Sequence, residues 1–144
     1  MTQKAAENLE ELLSTLKRWQ EIETATVSQT SAIMEKTKNP LIRLVMEIIR
    51  QDSAMHKRVQ QVVIDSLEKE AFSLTPEDLA EVWDMIEDHA RMEKETIELA
   101  EKAHKNCRLF VQRHLVGYLI EDEKKHDRLL GQLEDFKRRI YPYA

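Results

Sequence analysis

Asp52-Ser53-Ala54-Met55-His56 and Asp122-Glu123-Lys124-Lys125-His126 each place an acid four residues ahead of a histidine, and the two stretches lie 70 positions apart. On a helix, residues four apart share a face. Each stretch can therefore aim a carboxylate oxygen and an imidazole nitrogen at one point. That donor mixture suits a divalent transition metal, iron or manganese first and zinc as well. The same shift of 70 maps Glu23 onto Glu93. The apolar pairs Val27/Ile97, Ile49/Leu119, Val59/Leu129 and Val63/Leu133 follow the same register. The pattern is that of one helical hairpin used twice.

Positioning these groups requires long helices. The chain has only two glycines and three prolines in 144 residues, too few breaks for a β-rich fold. Lys38-Asn39-Pro40 closes one helical stretch, because proline disfavours helix at the residue before it and suits the first turn of the next helix. The second break runs from Phe72 to Asp78, with Thr75 as N-cap, Pro76 at the first helical position and Asp78 completing a capping box. The third falls at Lys105-Asn106-Cys107, where Asn106 is expected to turn left-handed. These breaks predict helices over 5–37, 41–70, 76–105 and 108–139. Each carries apolar residues at three- and four-residue spacing, such as Leu9, Leu12, Leu16 and Trp19, or Leu129, Leu133 and Phe136. Four such helices joined by short connections pack as an antiparallel bundle, so the expected fold is all-α, with residues 1–144 forming one domain.

Every apolar stripe is interrupted near its middle by acids and imidazoles: Glu23 in the first helix, Asp52 and His56 in the second, His89 and Glu93 in the third, Asp122, Glu123 and His126 in the fourth. Reflection through the three turns puts all of them at one height, to within about 3 Å along a helix axis. Several carboxylates in a core cannot all stay ionised without compensation. Glu23, Asp52, Glu93 and Glu123 would together balance two divalent cations, with His56 and His126 as neutral nitrogen donors.

Glu123-Lys124-Lys125-His126, with Glu23 and Glu93 on the other two helices, resembles the ferritin-like superfamily and its rubrerythrin-type members. The resemblance implies a four-helix bundle around a dinuclear carboxylate site, with one Glu from the first and third helices and Glu-x-x-His from the second and fourth. It implies oxidoreductase chemistry on oxygen or peroxide, served by a separate electron donor because no CxxC rubredoxin-type module is present. The second helix departs from the pattern, with Ser53 three residues before His56 and Asp52 as the substitute acid. His89 is an additional nitrogen donor whose repeat mate is Trp19. A non-catalytic interaction or sensor module is the competing reading, supported by the consecutive apolar residues Leu109, Phe110 and Val111. A homodimer is the partner that reading suggests.

Composition excludes other classes. A net charge of −5, with lysine and arginine scattered among acids, gives no basic face for nucleic acid or an anionic membrane. No apolar run reaches the roughly 18 residues a bilayer span needs. No N-terminal apolar segment resembles a signal peptide, and the lone Cys107 has no disulfide partner in the chain. Cytoplasmic residence is the expectation. His104 and His114 read as ordinary boundary residues on their helices.

Overall fold

The computed structural model describes residues 3–69 and 74–140. It is all-helical, with helices α1 (Gln3–Lys36), α2 (Pro40–Glu68), α3 (Pro76–Ala80), α4 (Trp83–Asn106) and α5 (Phe110–Ile140), and no strand among the described residues. The chain divides into two compact units, Met1–Phe72 and Ser73–Ala144. The first is a hairpin of α1 and α2, and the second is a hairpin of α4 and α5 preceded by the short α3. The repeat holds at the element ends: α1 and α4 stop at Lys36 and Asn106, and α2 and α5 start at Pro40 and Phe110, each pair 70 apart. No described helix is long and apolar enough to cross a membrane.

In the first hairpin the turn is made by Asn39. Its side-chain oxygen accepts from the backbone N–H of Leu41 at 3.0 Å and of Ile42 at 3.1 Å, and Pro40 follows in the first turn. These bonds satisfy donors that a helix start otherwise leaves open. Arg43 reaches back and donates to the carbonyls of Met34 and Thr37, closing the C-terminal end of α1. Leu16, Glu23 and Thr30 on α1, at seven-residue spacing, are buried against Ser53, Gln60 and Ile64 of α2. The seam is thus largely polar, and neither amide atom of Gln60 has a hydrogen-bond partner.

In the second hairpin the expected capping box is present. The Thr75 hydroxyl accepts from Asp78 N–H at 3.2 Å, and the Asp78 carboxylate accepts from Thr75 N–H at 2.9 Å. Phe72 and Ser73, also assigned to this break, lie outside the described residues. The expected single helix over 76–105 is interrupted, however. Val82 N–H bonds to Leu79 O at 3.2 Å, three residues back, and this tighter turn separates α3 from α4. Farther on, Lys137 stands 4.0 Å over the Trp83 ring. At the other end α4 stops without a left-handed residue: Cys107 is extended (φ −68°, ψ 124°), and no described non-glycine residue has positive φ.

The apolar stripes are mostly uncovered. Leu12, Trp19, Leu44, Ile49 and Val59 of the first hairpin are exposed, as are Val82, Leu119, Leu129 and Phe136 of the second. Two helices can cover only one narrow strip of each other, whereas an amphipathic stripe is wider than that seam. Of the residues expected in the core, Leu16 and Leu79 are buried; Ile64, beside the expected Val63, is the third buried apolar residue among those described.

Candidate metal centre

The second hairpin gathers three of the expected donors. Glu93 of α4 and Glu123 and His126 of α5 each offer a ligand atom, all within 4.8 Å of one another. Glu123 and His126 share a face of α5 because they are three residues apart. The His126 Nδ1 lies 3.3 Å from Glu123 Oε2 and 3.6 Å from Glu93 Oε1, between the two carboxylates. Glu93 is buried at 7% exposure. Its Oε1 is 3.0 Å from His89 Nε2, one turn earlier on α4, while its Oε2 is buried with no hydrogen-bond partner among the described residues. The adjacent Glu93 carboxyl, then burial, raise the Glu123 pKa above its ordinary value, against an opposing pull from His126. Two carboxyls this close oppose each other's ionisation, a repulsion that a proton or a cation relieves.

Asp122 lies at the rim of this group. It pairs with Lys125 on its own helix, and its Oδ2 is 3.6 Å from His126 Nε2. The second imidazole nitrogen of His126 thus has a carboxylate neighbour, just beyond hydrogen-bond reach.

The first hairpin repeats the buried acid but not the acid pair. Glu23, also 7% exposed, sits on α1 at the position equivalent to Glu93. Three donors converge on it: Trp19 Nε1 at 2.9 Å, His56 Nδ1 at 3.1 Å and the Ser53 hydroxyl. Burial pushes the Glu23 pKa up, but hydrogen bonds from Ser53, His56 and Trp19 outweigh it and hold the carboxyl below its ordinary range. Ser53 fills the place of Glu123, so the sequence pattern's missing acid is a hydroxyl donor to Glu23. Asp52, the expected substitute, is half-buried on α2 and makes no hydrogen bond or ion pair with any described residue. It is not brought to Glu23 because the following position, Ser53, is the one that faces α1.

Of the eight residues expected to form a metal site, the structure brings Glu93, Glu123 and His126 together, with His89 and Asp122 touching them, and joins Glu23 to His56. Sequence reasoning missed Ser53 and the indole of Trp19 as functional donors. For Trp19 the available signal was its spacing, since it is four before Glu23 as His89 is four before Glu93. The chain matches no family model, no curated protein and no solved structure.

Proposed function

We propose that the chain is a ferritin-like metal-binding protein whose Glu93, Glu123 and His126 take one divalent transition metal, iron or manganese in preference to zinc. The observation that carries this reading is a buried Glu93 oxygen without a partner, beside a second carboxylate and an imidazole within ligand distance. Two carboxylates and one neutral imidazole would leave a divalent ion electrically balanced, and they relieve the repulsion that otherwise raises the Glu123 pKa. The donor set fits one ion better than two, because Ser53 withholds the fourth carboxylate. Glu23 and His56 are donors that already satisfy each other.

The fold we propose for the whole chain is the antiparallel four-helix bundle, which covers the apolar stripes that each hairpin leaves exposed. A bound ion with an open coordination position would supply Lewis-acid or redox chemistry, and an oxidoreductase acting on oxygen or peroxide is the activity class we assign. Turnover would then draw electrons from a separate donor protein. The second reading, a non-catalytic helical module that binds itself or a partner, is favoured by Leu109 and Phe110, which are 62% and 75% exposed.

Elemental analysis after purification without chelator or affinity metal tests the proposal. We expect about one equivalent of iron or manganese in the wild type, lost in a still-helical His126→Ala variant. Absence of bound metal after anaerobic reconstitution with iron and with manganese would overturn it in favour of the second reading.

A further inference from the structure

His104 and His114 take no part in the candidate metal centre, yet both line one concavity of about 420 Å³ on the second hairpin. Arg113 and Glu121 contribute the other charged groups, and Phe110 and Tyr118 the aromatic ones. The volume falls within the range of small-molecule sites, roughly 300–1,000 Å³. The Phe110 and His114 rings meet edge-on, with centroids 4.2 Å apart, and form a wall of the groove.

Three observations say that the groove is built for something outside the hairpin. First, the Arg113 guanidinium, the His104 imidazole and the Glu121 carboxylate make no hydrogen bond or ion pair with any described residue. Elsewhere on α5 the charged groups are commonly paired, as in Lys124–Glu101 and Arg138–Glu134. Second, Gly117 lines the groove from inside α5, where glycine is a poorer helix former than alanine, and a Cβ there would meet nothing within 4 Å among the described residues.

Third, the repeat has diverged at this end. Where the second hairpin has His104, His114, Gly117 and Tyr118, the first has Met34, Leu44, Glu47 and Ile48. Arg113 corresponds to Arg43, but Arg43 is committed to the carbonyls of Met34 and Thr37 while the Arg113 guanidinium has no such partner. An ordinary helix-capping arginine and its apolar neighbours have been replaced by a free guanidinium, two imidazoles and a phenol.

We infer that this groove binds a small aromatic carboxylate carrying a hydrogen-bond donor on its far side. The planar guanidinium fork of Arg113 matches a carboxylate, with the histidines as additional donors. Phe110 and Tyr118 offer ring surface for an aromatic body, and Glu121 accepts from the ligand's hydroxyl or amine. The acid in the lining and the single arginine disfavour a phosphate dianion. The inference does not rest on the metal site.

Isothermal titration of the full chain with 4-hydroxybenzoate tests it, with 4-hydroxybenzamide as the uncharged analogue. Saturable one-to-one binding is expected. The amide, and the acid on an Arg113→Gln variant, should each bind at least about tenfold more weakly, the loss of a charge-assisted pair. Gly117→Leu fills the groove with a better helix former, so it should abolish binding while keeping its helical circular dichroism. His126→Ala should bind the acid unchanged, which separates this site from any carboxylate held by the metal centre. Absence of saturable binding, equal affinity for acid and amide, full binding by Gly117→Leu, or loss of binding in His126→Ala would each overturn the inference.

Discussion

Positions 53 and 123 occupy the same place in the two hairpins, three residues before a histidine and facing a buried glutamate, yet they have opposite effects. Ser53 donates to Glu23 and helps hold that carboxyl below its ordinary pKa. Glu123 instead confronts Glu93, and its own pKa rises. The first hairpin therefore contains a carboxylate satisfied within the protein, and the second a carboxylate pair whose repulsion a proton or a cation would relieve. One helical hairpin pattern occurs twice, with a satisfied carboxylate in one copy and an unrelieved acid pair in the other, and the side chain at 53/123 makes that difference.

Exchanging that side chain should have the largest effect. Glu123→Ser gives the second hairpin the arrangement of the first, and metal bound at Glu93 and His126 should fall from about one equivalent to none. The reciprocal Ser53→Glu should raise the metal content toward two equivalents by creating a second acid pair beside His56. In the metal-free state Ser53→Glu should also lower stability by about 1–3 kcal/mol, because Glu23 loses a donor and gains a like charge. Elemental analysis and urea unfolding read both. A Ser53→Glu protein that still holds only one equivalent would show that the hairpins differ in more than this position.

Metal addition comes next. A ligand present at a hundred times its dissociation constant stabilises the folded state by about 2.7 kcal/mol. Manganese should therefore raise the wild-type melting temperature, and it should leave Glu123→Ser unmoved. A shift of equal size in both proteins would place the bound ion elsewhere.

The pH dependence of the metal-free protein should divide along the same line. Glu123 holds its proton more tightly folded than unfolded, so its contribution is fully present below the unfolded value of 4.5 and is lost as pH rises through the raised folded pKa. Glu23 behaves oppositely: its contribution is present above 4.5 and is lost as pH falls through the depressed folded pKa. Glu123→Gln should accordingly gain stability over wild type above the raised pKa, and that gain should vanish in acid. Ser53→Ala should lose stability at neutral pH, by about 1 kcal/mol, with the loss shrinking in acid. Urea midpoints measured from pH 3 to 8 report both trends, and parallel curves for the two variants would break the comparison.

Much of this organisation was legible in the sequence because helix ends and acid–histidine spacings are local signals. Asn39-Pro40 and Thr75-Pro76 announce their turns, and the shift of 70 that pairs Glu23 with Glu93 also pairs the observed ends of α1 and α4. The interruption at Glu81-Val82 was not legible, since neither residue is a helix breaker and the turn depends on one hydrogen bond that reaches three residues back instead of four. The stripes identified apolar residues correctly without saying what covers them, because periodicity describes one helix and burial depends on its neighbours. Ser53 was read as an absent acid. Its role becomes visible only when α2 brings the hydroxyl to Glu23, a distance that no spacing within one helix encodes.

The smallest expected effect concerns the donors one turn before each buried glutamate. Trp19 Nε1 lies 2.9 Å from Glu23 Oε1, and His89 Nε2 lies 3.0 Å from Glu93 Oε1. An indole nitrogen can only donate, whereas an imidazole nitrogen can donate or bind metal. Trp19→Phe should cost about 0.5–1 kcal/mol for one hydrogen bond at a half-exposed position and move the Glu23 pKa upward. His89→Trp keeps a donor in the second hairpin and removes a nitrogen ligand. Because His89 lies outside the three-residue group, the variant should retain one equivalent of metal and change stability by no more than about 0.5 kcal/mol. Loss of the metal with stability unchanged would make His89 a fourth ligand. The two copies would then differ at register 19/89 as well as at 53/123, with the second hairpin supplying two nitrogens and two carboxylates on its own.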